Sequence, residues 1–267
     1  MKKWLFGGIL FGLALTLCAC QAVLPVSTEP EIIQSAPALT ETTTPTIAPT
    51  TQPTIPAHAS FYHPNYTCDQ IWTYFEEVAL HGEYSTGTGD PALIQKWQAP
   101  LRYRIYGAPT EEDIAVLEEF FSQLNAMPGF PGIFLAGEDE LSNFNIRFLD
   151  ETDFNSAFSS MLNGEDANGA AQFWYYNDSN EIYTANIGYR IDIDQDVRNS
   201  ILLEEIVNAL GLSDSILRTD SIVYQYSDEN LCLSDVDWII LQLLYATDIE
   251  CGMNAAQCCA AVQEMYY

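Results

Sequence analysis

The sequence predicts an α+β fold, a small mixed β-sheet with packed helices, in one domain over residues 61–267. Three observations lead there. Alternating or short apolar runs of strand character fall between residues 99 and 191, and helix-period stretches dominate after residue 197. No internal repeat and no glycine-rich phosphate loop points to another architecture. With Trp72, Trp97, Trp174, Trp238 and many Tyr and Phe, the segment has the material for a single core.

Taken in order, Asp69 to Leu80 has helical periodicity, and Ala99 to Tyr106 alternates apolar and basic residues as a strand does. Thr110 opens a helix with Glu112 and Asp113 in its first turn and Ile114, Leu117, Phe120, Phe121 and Leu124 on one face. Gly132 to Leu135 and Phe144 to Leu149 are strand candidates, followed by a short helix from Asp153 to Leu162. Gln172 to Tyr176 and Ile182 to Ile191 form a strand pair around the turn Asn177-Asp178-Ser179-Asn180. The last third is helical: Val197 to Leu210 ending at Gly211, then Ser234 to Ala246, then Asn254 to Met265. Ser234 and Asp237 make an N-terminal cap pairing for the second of these.

Ahead of the domain, Lys2 and Lys3, an apolar run from Trp4 to Leu17 and the approach Leu17-Cys18-Ala19 to Cys20 have the layout of a lipoprotein signal peptide over 1–19. The run is short for a transmembrane span, so an uncleaved anchor is the lesser alternative. Cys20 is then the lipidation site and the domain is extracytoplasmic, held to the cell membrane by its lipid. Residues 20–60 are rich in Ser, Thr and Pro, with Thr40-Glu41-Thr42-Thr43-Thr44-Pro45-Thr46 at their centre, which predicts a disordered tether.

The chain carries 37 acidic against 9 basic residues, net −28, and loss of Lys2 and Lys3 takes it to −30. Nucleic acid and anionic lipid surfaces are disfavoured partners at that charge, while divalent cations and basic ligands are favoured; acidity also serves plain solubility. Five cysteines remain beyond Cys20, at Cys68, Cys232, Cys251, Cys258 and Cys259, and their pairing does not follow from spacing. None forms a CxxC pair, which argues against a zinc site built on them.

Chemistry concentrates in Leu203-Glu204-Glu205-Ile206-Val207-Asn208-Ala209-Leu210-Gly211-Leu212-Ser213-Asp214. On a helix Glu204 and Asn208 share a face, with Glu205 about a hundred degrees round. Gly211 permits a sharp turn that brings Asp214 back toward that face. This spacing resembles the extended metal-binding helix of the metzincin metallopeptidases, His-Glu-x-x-His-x-x-Gly-x-x-His. The resemblance puts Glu204, Asn208 and Asp214 at the three metal-ligand positions and Glu205 at the general base. It continues through Ser221-Ile222-Val223-Tyr224, where Val223 stands at the place of the turn methionine, and through Leu233-Ser234-Asp235-Val236-Asp237 to Leu244-Tyr245.

More closely, the chain resembles a family of uncharacterised bacterial lipoproteins with this degenerate metzincin-like ending, over roughly residues 70 to 255. The resemblance rests on His81-Gly82-Glu83-Tyr84, Lys96-Trp97 with Pro100, Arg102 and Gly107, then Glu204-Glu205, Leu210-Gly211-Leu212, Asp220-Ser221-Ile222, Asp237, Leu244-Tyr245 and Gly252-Met253. It implies a zincin-like architecture without zinc-binding histidines, in a family with Gln usual at the place of Asn208.

Glu204, Asn208 and Asp214 are oxygen donors, which suit Ca²⁺ or Mg²⁺ better than Zn²⁺. No cofactor is expected, with Ca²⁺ as the possible ion. Asp192, Asp194 and Asp196 lack the glycine and the final glutamate of an EF-hand loop and read as a strand end with one aspartate capping the next helix. The expected function is a non-catalytic binding module of the cell envelope, taking a peptide or a cell-wall ligand. The alternatives are a hydrolase with Glu205 as base and a non-standard metal or none, and a Ca²⁺-stabilised structural protein.

Overall fold

Apolar periodicity meets the helix and strand periods in turn along residues 61–267, and the elements follow it. The structure, a computed structural model, describes residues 61–80, 92–162, 166–227 and 229–267. The signal peptide, Cys20, the tether and His81 to Tyr84 lie outside the described residues. No helix among the described residues is long and apolar enough to cross a membrane.

The order is α1 (Cys68–Leu80), β1 (Lys96–Trp97), β2 (Leu101–Gly107), α2 (Glu111–Ala126), β3 (Ile133–Leu135), β4 (Phe144–Leu149), α3 (Glu151–Leu162), β5 (Gly169–Tyr175), β6 (Glu181–Arg190), α4 (Gln195–Ala209), α5 (Asp235–Leu244) and α6 (Ala255–Tyr266). Among the described residues, six helices and a six-stranded mixed sheet match the α+β expectation. The first half nonetheless interleaves helices with strands, because parallel pairing needs a crossover between partners and α2 and α3 supply it. Strand β1, two residues long, carries too short a pattern to register in sequence.

Strands β3, β2, β4 and β6 run parallel in that order, and β5 closes the far edge antiparallel to β6. Strand β1 joins β6 only at Glu181 and Ile182, before β4 begins at Ala185. One face of the sheet, with Leu101, Phe144, Ile146, Phe148, Ile187 and Tyr189, is buried in the main core. Across the sheet Phe154 and Phe158 of α3 form a small second cluster with Ala170. Gly188 admits them: a Cβ there would stand 2.2 Å from Phe158 Cε2.

Residues 94–97 clamp the end of α4 to the end of α5. Trp97 Nε1 donates to Ala209 O at 2.9 Å, and Tyr245 donates its hydroxyl to Leu210 O at 2.9 Å. Lys96, 5% exposed, donates Nζ to Leu244 O at 2.9 Å, Ala246 O at 3.3 Å and Ile249 O. Ile94 exchanges backbone bonds with Gly252 and Met253. Much of what carries the family resemblance, Lys96-Trp97, Leu244-Tyr245 and Gly252-Met253, is therefore framework.

Candidate functional site

Helix α4 lies against β5 and β6, with Ile201, Leu202, Ile206 and Ala209 buried and Glu204, Glu205 and Asn208 half-buried. Its start is fixed by Arg198, whose Nε lies 2.8 Å from Asp113 Oδ1 of α2 in a buried ion pair. Asp194 takes the N-cap position, as the aspartate run suggested, but makes no side-chain cap bond. Asp192 pairs with Arg190 at 2.7 Å.

At the other end Leu210 caps the helix and Gly211 adopts φ +108°, a conformation that side chains resist. A Cβ on Gly211 would also stand 2.2 Å from Gln95 O, so the close approach of residues 94–97 needs glycine here as much as the turn does. Beyond it Ser213 donates N–H and hydroxyl to Val78 O, at 2.8 and 3.0 Å, and Ser215 exchanges backbone bonds with Val223 and Gln225. Glu77 of α1 takes the Ser215 hydroxyl and the Ile216 N–H. These anchors return Asp214 to α4, where Asn208 Nδ2 donates to Asp214 Oδ1 at 2.9 Å.

Glu205 sits where β5 begins. A Cβ on Gly169 would lie 2.8 Å from Glu205 Oε1 and 2.9 Å from its Cγ, so the missing side chain is what makes room for the carboxyl. Gly169 pairs with Tyr189, whose hydroxyl donates to Leu202 O at 2.9 Å beneath the helix. Burial, and then the Asp214 carboxylate, push the Glu205 carboxyl well above the glutamate range. Burial likewise raises Asp214, partly offset by the Asn208 hydrogen bond. Among the described residues neither carboxyl has an ion-pair partner to offset the effect of burial, so both hold their protons more tightly than an exposed carboxyl does. Asn208 Oδ1 is buried and has no hydrogen-bond partner among the described residues.

The structure thus gathers Glu205, Asn208 and Asp214, and Glu204 precedes them on the same helix, half-buried. Among the described residues no three His, Cys, Asp or Glu side chains are grouped to hold a metal ion. Gly169, Tyr189 and Glu77 complete the site without a signal in spacing, since each comes from a different element and reaches α4 or its turn only through tertiary packing.

The segment Ser221-Ile222-Val223 passes under α5 and is held by Asp237. The carboxylate accepts from Ser221 Oγ at 2.7 Å, Ile222 N at 3.0 Å, Tyr74 OH at 3.1 Å and Ser234 N at 2.9 Å. Burial, and then Asp237, raise the Tyr74 hydroxyl far above its ordinary range, which keeps it a donor. Ser221 and Asp237, both carried by the family resemblance, are a buried polar brace.

No curated protein matches the chain. A family model described as a protein of unknown function, DUF2927, matches residues 68–264, from the first turn of α1 to the last of α6. With the match covering all six strands and the α4 site, the chain belongs to the DUF2927 family of proteins of unknown function.

Proposed function

We propose that the protein is a lipid-anchored, extracytoplasmic, non-catalytic binding module with a degenerate metzincin-like domain. The observation that carries this reading is the state of the α4 carboxyls. A metzincin-like base must be ionised to take a proton from a metal-bound water. Here Glu205 is driven toward its protonated form by burial and by Asp214, and Asn208 is hydrogen-bonded to Asp214. A neutral carboxyl is a hydrogen-bond donor suited to holding a carbonyl.

Strand β5 supports an extended peptide as the ligand. Its seven residues, Gly-Ala-Ala-Gln-Phe-Trp-Tyr, contain no charge and no proline, the usual protections of an edge, and among the described residues it pairs only with β6. A peptide adding to this edge would pass the Glu205 carboxyl at Gly169. For a cation, Asp214 and Asn208 Oδ1 offer oxygen donors of the hard kind that Ca²⁺ takes in preference to zinc.

The hydrolase reading draws on the same pair, since two buried carboxyls that feel each other's charge are an arrangement that separates an acid from a base. Titrating fluorescent unstructured peptides into wild type and Glu205→Gln, with mass spectrometry for cleavage, separates the two. Binding without cleavage that survives Glu205→Gln is expected, and cleavage abolished by Glu205→Gln would establish the hydrolase. Calcium-dependent melting lost in Asp214→Ala would add the ion. For the anchor, Cys20→Ser is expected to move the protein from the membrane fraction to the soluble one.

A further inference from the structure

The sheet has a second face, turned away from α4, and its composition is unlike the rest of the molecule. Register places Arg104 of β2 opposite Asn145 of β4, Asn145 opposite Asn186 of β6, and Asn186 opposite Gln172 of β5. Asn145 Nδ2 donates to Asn186 Oδ1 at 3.1 Å, which puts their side chains together on this face. One step along, Tyr106 is opposite Arg147, and two residues from Gln172 stands Trp174. Helix α3 covers only the end at Ala170 and Gly188. The amide row and Trp174 are half-buried, Tyr106 and Arg147 are exposed, and Trp174 packs into neither apolar cluster.

Charge sets this face apart. Arg190, Arg198 and Arg218 each hold an aspartate, and Arg102 holds Glu140 at 2.9 Å. Arg104 instead donates to the backbone carbonyls of Gly137 at 2.7 Å, Glu138 at 3.5 Å and Glu140 at 2.8 Å, with no carboxylate as its direct partner. Arg147 lies over the Tyr106 ring, 5.7 Å from its centroid. Neither Arg104 nor Arg147 has an ion-pair partner among the described residues, in a chain with 37 carboxylates. They occupy diagonal positions on adjacent parallel strands, so one elongated anion lying across the strands can reach both.

We propose that this open face binds an anionic polysaccharide laid across β2, β4, β6 and β5. Its acid groups meet Arg104 and Arg147, its hydroxyls meet the row Asn145, Asn186 and Gln172, and a sugar ring stacks on Trp174. The four strands span about 14 Å, enough for a few sugar rings. An anionic bilayer would bring the whole acidic surface into a repulsive field, whereas a single polymer chain meets only this patch, with charges beyond about 8 Å screened. The face lies across the sheet from Glu205, so it stands independently of the α4 reading.

Native affinity electrophoresis of the full-length protein in neutral detergent tests it, with polygalacturonate in the gel and dextran or polyaspartate as parallel arms. Retardation by polygalacturonate alone is expected, weakened by about tenfold or more in Arg147→Glu and also weakened in Trp174→Ala, and largely kept in Arg147→Lys. Unchanged melting temperatures show that the variants fold. Absence of retardation, equal retardation by dextran or polyaspartate, or indifference to Arg147→Glu would each overturn the proposal. Flotation with phosphatidylglycerol vesicles that Arg147→Glu abolishes, in place of polysaccharide binding, would overturn it in favour of a lipid surface.

Discussion

Glu205 shows how a residue's chemistry is set by what comes to meet it. Its carboxyl starts from an ordinary value of 4.5 and Asp214 from 3.8, and in the folded protein both are raised, chiefly by burial. A group whose folded pKa is raised holds its proton more tightly folded than unfolded. The stability it contributes is full below the unfolded value and lost as pH rises through the folded one. Wild type is therefore expected to lose melting temperature as pH rises above the ordinary carboxylate range, and Glu205→Gln to lose less and to be the more stable protein at the alkaline end. Fluorimetric melting across that range checks it, and parallel curves for the two proteins would show that Glu205 ionises freely. The helix spacing and Gly211 made the Asn208–Asp214 approach legible in advance, because both are local. Gly169 was not legible, since its role is to leave space for a side chain more than thirty residues away.

At the scale of elements, buried polar braces fix where helices begin. Asp237 was readable as the capping partner of Ser234, which it is, with both reciprocal bonds made. The structure adds Tyr74, Ser221 and Ile222 to the same carboxylate. Ser234→Ala is expected to cost about 1 kcal/mol, the worth of a cap. Asp237→Ala is expected to cost about 3 kcal/mol or more, because it strands several buried donors at once, and urea melts of the two variants make the comparison. The Arg198–Asp113 pair ties α4 to α2 in the same way. Burial pushes Asp113 up, but hydrogen bonds from Arg198, Thr110 and Gln195 outweigh it and leave the carboxyl lowered. Its stabilisation is thus present above the ordinary 3.8 and lost as pH falls through the folded value. Arg198→Met alone should cost roughly 3–5 kcal/mol by leaving a buried charge, and adding Asp113→Asn should recover most of that. Equal losses in the single and double variants would show that Arg198 acts by packing alone.

Across the whole molecule, −28 formal charges repel one another, and screening should relieve them. Raising sodium chloride from about 20 mM to about 200 mM is expected to raise the melting temperature, with most of the gain complete once the Debye length drops below about 10 Å. A melting temperature that falls with salt would mean that the few ion pairs dominate the net repulsion. Periodicity, caps and glycine turns act over a few residues, and so the kinds and order of the major elements, the α+β class and the α4 turn can be read along the chain. The family frame was legible too, in residues now seen to clamp helix ends. Which strands run parallel, and the burial of Lys96 on three carbonyls, follow from packing between distant segments. Packing alone buries Glu205 within the influence of the Asp214 carboxylate and sets Arg104 and Arg147 on one face of the sheet. The reason is physical: burial, dielectric surroundings and the meeting of side chains from distant elements are properties of packing, and no local pattern encodes them.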